Sequence, residues 1–317
     1  MLRFLPPPAR GALALTLILL NTIFWCAPLY TITLARLLVP NAGWRRACGH
    51  ASVWIGETWI AGNNLIFRIT QKTRWETSGV DGLRRDDWYF ITANHQSWVD
   101  IFVLQRALNR RTPFLRFFIK QELIWFPLMG AVWWALDFPF MKRYSRAYLE
   151  KHPEKRGEDL ATTRRKCAKF QHDPVAIINF LEGTRFTPAK RARQESPYTH
   201  LLRPKAGGMA FTLAAMNGRI RTLLDAAIVY PDGPPPSFWE FLCGEVPRIV
   251  LHVEAIPLPA HIAAGDYMND PAFRAEFQSW VSDLWAAKDA LLEKLGHRAE
   301  RNTGLRREGA AERGEES

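Results

Sequence analysis

The chain has 317 residues, enough to bury a sizeable core as one large domain or two small ones. Its net charge of +11 and pI near 9.7 call for an acidic partner, either nucleic acid or an anionic membrane surface. Thirteen Trp residues, many beside Arg or Lys, tilt this toward the membrane, and four cysteines without a C-x-x-C pair give neither a disulfide framework nor a zinc site.

In chain order, the first element is an uncharged run of 25 residues between Arg10 and Arg36. A helix of about 20 apolar residues crosses the hydrocarbon layer, so residues 1–40 are expected to be a membrane anchor. A single span is one form of it. The other is a re-entrant or interfacial hairpin bent at Pro28, with the apolar stretch Val53–Phe67 on the membrane surface. Arg3 and Arg10 precede the run, while Arg36, Arg45, Arg46, Arg68, Lys72 and Arg74 follow it. The positive-inside rule then places the body in the cytoplasm.

Residues 41–296 read as one domain of alternating strands and helices. Strands are expected at 88–93, 175–181, 223–230 and 249–256, each rich in Ile, Val and aromatics and bounded by turn residues. Helices are expected at 99–108, 123–135 with a break at Pro127, 158–171 and 206–216. A last helix carries Phe273, Phe277, Trp280, Leu284, Ala287, Leu291 and Leu295 on one face. Such alternation predicts an α/β fold with a mixed, mostly parallel sheet flanked by helices. Apolar residues vanish after His297, which predicts a disordered tail over 297–317.

The stretch Asn94–Asp100, NHQSWVD, sits where the first of these strands gives way to a helix. It offers a histidine base and an orienting aspartate, a layout suited to acid–base chemistry. Ser97–Asp100 also spells the S-x-x-D helix start, in which Asp100 is a cap and His95 a loop residue. Further along, Lys120 precedes an apolar helix, Lys142, Arg143 and Arg146 leave an apolar run, and NFLEGTRF ends a strand with Glu182, Gly183, Thr184 and Arg185. Each could be a solvated turn or surface face. Together they put a base and phosphate-capable cations at the C-terminal ends of strands, where α/β folds carry their sites.

The order NH-x4-D, K-x-E-L…P-x-x-G, F-M-K-R and F-x-E-G-T-R resembles the bacterial 1-acyl-sn-glycerol-3-phosphate acyltransferases and their lysophospholipid acyltransferase relatives, over roughly Arg74 to Tyr230. The resemblance implies a membrane-bound O-acyltransferase of the inner (cytoplasmic) membrane. Acyl-CoA or acyl carrier protein would be its donor and lysophosphatidic acid or a related lysophospholipid its acceptor, with no cofactor and no metal. It implies that His95 is the general base, oriented by Asp100, that Lys120, Arg143 and Arg185 hold the acceptor phosphate, and that Glu182, Gly183 and Thr184 shape the acceptor site. Arg binds phosphate bidentately, whereas Lys acts as a point charge. Backbone N–H groups near Ser97 are the expected oxyanion donors. The apolar run Phe126–Leu136 could line an acyl-chain groove or simply pack in the core. Tyr230-Pro231 stands where the family commonly has Val-Pro, and Tyr144–Lys169 is longer and more basic than its simplest members need, which leaves the acceptor open.

A non-catalytic peripheral protein that binds anionic lipid accounts for the charge equally well. It would not need His95, Asp100, Glu182 and Arg185 together. The sequence carries no helix-turn-helix or RNA-binding signature, so nucleic acid is not an expected partner.

Overall fold

Strand β2 (Tyr89–Ala93) alternates its side chains between two layers: Tyr89, Ile91 and Ala93 enter one core cluster and Phe90 the other. The computed structural model describes residues 4–141, residue 170 and residues 173–314. Around β2 lie β1 (Arg74–Ser78), β3 (Leu115–Phe117), β6 (Ala176–Ile178), β7 (Thr222–Val229) and β8 (Arg248–Pro257), in the spatial order β1-β8-β7-β2-β6-β3. A second, two-stranded sheet pairs β4 (Ile119–Lys120) with β5 (Phe140–Met141). Neighbours in the main sheet run parallel except β7 and β8, so the sheet is mixed and mostly parallel, as the sequence predicts.

Short helices flank this sheet. The first core layer packs against α3 (Val99–Leu108) through Val103 and Leu104, and against α7 (Phe238–Leu242) through Phe241 and Leu242. The second packs against α6 (Ala206–Met216) through Met209 and Leu213, and against α9 (Pro271–Gly314) through Phe277, Val281 and Trp285. Two further short helices are α5 (Pro188–Arg193) and α8 (Ala260–Ala264). The expected helix at 123–135 is divided near Pro127 into a 3₁₀ turn (Gln121–Trp125) and α4 (Met129–Ala135). The expected helix 158–171 lies, apart from Phe170, outside the described residues. Strand β1 escapes the sequence reading because RWETS has no apolar alternation. It is an edge strand held by its parallel pairing with β8. Helix α9 runs on past His297 to Gly314.

The N-terminal segment folds as two long helices, α1 (Pro7–Leu38) and α2 (Ala42–Thr70). The turn between them falls at residues 39–41 rather than at Pro28, which stays inside α1. Asn21 Nδ2 donates to the Trp59 carbonyl and to Asn63 Oδ1, and Trp59 Nε1 donates to Thr22 Oγ1. Arg10, Gly11, Ala14, Ile18, Cys26, Leu29 and Thr33 form the buried stripe of α1, while Leu19, Leu20, Ile23, Phe24, Leu34, Leu37 and Leu38 are exposed on it. Both ends of α1 touch the body. A Cβ on Gly11 would come within 2.6 Å of Cys243 Sγ; toward the other end Tyr30 donates to the Leu128 carbonyl at 2.7 Å and Arg36 pairs with Asp137 at 3.0 Å.

Candidate active site

The parallel strands β2, β6 and β7 are in register, Ile91 beside Ile178 and Ala93 beside Ala226, so their C-terminal ends open on the same edge of the sheet. Three loops leave that edge and bring together residues far apart in sequence. Asn94 begins the first. Its side chain continues the ladder, accepting from Ile228 N at 2.8 Å and donating to Ile228 O at 2.9 Å, which frees the main chain to turn toward α3.

His95 Nδ1 lies 2.9 Å from Asp100 Oδ2. Asp100 is fully buried and, as a carboxylate, only accepts, so Nδ1 is the donor and, in the neutral imidazole, Nε2 holds the free lone pair. The same Oδ2 accepts from Gln96 N at 2.6 Å and Ser97 N at 2.8 Å, while Ser97 Oγ caps Val99 N at 3.1 Å. Asp100 thus closes the start of the helix and also faces the His95 ring. Of the N–H groups near Ser97, those of Gln96 and Ser97 donate to Asp100 and that of Val99 to Ser97 Oγ. Phe180, at the end of β6, stacks on the imidazole with ring centres 4.1 Å apart and fixes its plane.

The second loop is the EGTR segment. Glu182 is buried and bridges two chain segments, Oε1 accepting from His95 N at 2.8 Å and Oε2 from Leu202 N at 3.0 Å. Burial pushes its carboxyl up to about 7, against the pull of these two N–H groups and of Lys288. Gly183 turns the chain with φ +68°, a backbone conformation that favours glycine, and it packs beside the Lys205 side chain. Lys190 Nζ reaches Thr184 Oγ1 and the Arg185 carbonyl, each at 2.9 Å. Arg185 lies over the exposed Trp98 ring at 5.3 Å, which leaves a guanidinium, a lysine and an aromatic face beside the histidine loop.

Lys120 is on β4 of the small sheet, half-exposed and 3.7 Å from Glu122. Arg143 lies outside the described residues. Among the described residues no three His, Cys, Asp or Glu side chains are grouped to hold a metal ion. Sequence reasoning passed over Asn94, Phe180 and Lys190, and a fourth contributor, Tyr230, whose hydroxyl donates to Asp100 Oδ1 at 2.6 Å. Its only signal was the departure from Val-Pro. Behind the site the fully buried Lys288 of α9 pairs with Asp225 of β7 at 2.7 Å and donates to the Ala226 carbonyl.

A buried carboxylate on Nδ1 of a histidine stands beside a cationic loop at the open edge of a mixed α/β sheet. Over residues 74–231, about half of its length, the chain matches the Acyltransferase family model, and in that segment it belongs to the Acyltransferase family. It is 23% identical over 223 residues to the 1-acyl-sn-glycerol-3-phosphate acyltransferase epsilon of Mus musculus, covering 63% of this chain and 56% of that one. It is 27% identical over 216 residues to the 1-acyl-sn-glycerol-3-phosphate acyltransferase 2 of Brassica oleracea, with 64% and 50% covered. It is also 23% identical over 307 residues to the lysocardiolipin acyltransferase 1 of Danio rerio, with 90% and 71% covered. The chain thus spans little more than half the length of the first two. The crystal structure of the 1-acyl-sn-glycerophosphate acyltransferase PlsC from Thermotoga maritima shares the fold at a TM-score of 0.50 and 17% identity, with 90% of this chain and 97% of that one aligned.

Proposed function

We propose that this protein transfers a fatty-acyl group from a thioester, acyl-CoA or acyl carrier protein, to the free hydroxyl of lysophosphatidic acid or a related lysophospholipid. The observation that carries the reading is the 2.9 Å contact of His95 Nδ1 with Asp100, which leaves Nε2 unprotonated and able to accept a proton. Nε2 takes the acceptor's hydroxyl proton as that oxygen attacks the thioester carbonyl. Asp100 stabilises the imidazolium that forms. The tetrahedral intermediate then collapses, the C–S bond breaks, and the thiolate leaves and recovers the proton from His95. A thioester is reactive enough for direct attack, so no acyl-enzyme is needed. Arg185 holds the acceptor phosphate, with Lys120 and Arg143 as further cations, and Glu182, Gly183 and Thr184 shape the acceptor loop.

The acceptor reaches this site from a membrane. Residues 11 and 36 of α1, both in contact with the body, are about 38 Å apart at 1.5 Å per residue, more than the roughly 30 Å of a hydrocarbon core. A body attached at both ends of the helix cannot stay on one side of a bilayer that the helix crosses. The interfacial form of the anchor fits better: α1 and α2 lie in one leaflet, with Leu20, Phe24 and Leu37 in the acyl chains and the body on the cytoplasmic, anionic face.

The test is His95→Ala, assayed in detergent with lysophosphatidate and a thioester donor. Thiol release and acyl transfer should both vanish while the protein stays folded and membrane-bound. Near wild-type turnover would remove His95 as the base.

A further inference from the structure

Asp100 has two oxygens, and the family's acid–base pairing uses one. Its Oδ2 is saturated by His95 Nδ1 and the N–H groups of Gln96 and Ser97. Its Oδ1 lies in a fully buried position where a bare carboxylate oxygen would be costly. The Tyr230 hydroxyl fills that need at 2.6 Å, in the loop that leaves β7. We propose that Tyr230 is a positioning residue for proton transfer: its hydroxyl locks the second oxygen of Asp100 and tempers the pull of that carboxylate on His95. The proposal rests on His95 acting as the base.

Tyr230 is buried, and burial together with Asp100 keeps its phenol well above the ordinary range, so it serves as a constant donor. Donation from Tyr230 draws negative charge away from the oxygen that faces His95. The other charged groups around the triad are Glu182 on the His95 main chain, the Lys288–Asp225 pair beneath the sheet, and the Arg248–Asp232 pair beside Tyr230 in a 310 Å³ cavity. Glu240 and Glu245 line the far part of that cavity. Among the described residues, Tyr230 alone donates a hydrogen bond to Oδ1.

Removing the hydroxyl should therefore strengthen the pull of Asp100 on the imidazolium. In Tyr230→Phe, measured on the full-length chain in detergent, the acid limb of kcat/KM should move to higher pH by about half a unit or more. The thermal midpoint should stay close to that of wild type. The downfield proton resonance of His95 Nδ1, identified by its loss in His95→Ala, should move as well. An acid limb and a resonance that both stay in place would overturn the proposal. Turnover retained by His95→Ala would instead remove the base assignment, and the resonance would still decide whether Tyr230 acts on the Asp100–His95 bond.

Discussion

The FLEGTRF loop grips His95 by its main chain on both sides: Glu182 Oε1 accepts the His95 N–H at 2.8 Å, and Phe186 N donates to the His95 carbonyl at 2.6 Å. The two most distinctive sequence signals are therefore one structure. The imidazole is aimed by Asp100, and the peptide that carries it is held by the second motif.

Asp100→Asn should leave the loop near its present path but put an amide where Oδ2 now takes three donors. The imidazolium loses its counter-charge and the tautomer is no longer fixed. Turnover should fall about a hundredfold to ten-thousandfold, as for loss of a general-base assembly. Steady-state kinetics beside a circular dichroism spectrum would check this, and a loss below about threefold would argue that Asp100 is only a helix cap.

Glu182 gives a pH signature. Its carboxyl is raised from the ordinary 4.5 to about 7 by burial. Between those values the folded chain holds more protons than the unfolded one, so its contribution to stability is complete below the lower value and is lost as pH rises through the upper. Glu182→Gln should flatten this fall between about pH 5 and about pH 8 in thermal melts, and should cost activity because an amide nitrogen then faces one of two N–H donors. An unchanged slope would contradict the assignment.

Arg185→Ala removes a charge-assisted contact from the acceptor side only. The KM for lysophosphatidate should rise by about tenfold to a hundredfold, with much less change for an uncharged monoacylglycerol. Equal losses for both acceptors would point to a structural role through Trp98.

Lys288→Met tests the ion pair beneath the site. Asp225 would be left buried without its partner, and unfolding free energy should drop by about 3 kcal/mol or more. Adding Asp225→Asn should recover much of that in denaturant melts. A double variant as unstable as the single one would show that Lys288 serves some contact other than Asp225.

Much of this was legible in sequence where contacts are local. His95 and Asp100 lie within one turn of chain, and the alternation around residues 88–93 and 223–230 gave the strands that carry them. The partners across the sheet were not. Glu182 meets His95 across 87 residues and Tyr230 meets Asp100 across 130, distances set by the parallel pairing of β2 with β6 and β7. Spacing along the chain carries no record of that. The anchor shows the same limit, since hydropathy reports that α1 is apolar but not that Gly11 and Arg36 both touch the body.

The grip on His95 uses main-chain groups of the histidine with one carboxylate and one main-chain N–H of the second loop, so the side chains at 184 and 185 take no part in it. On the proposed function, headgroup preference and reactivity rest on separable parts of one loop. The acceptor-facing residues can be exchanged, by drift or by design, while the base stays seated.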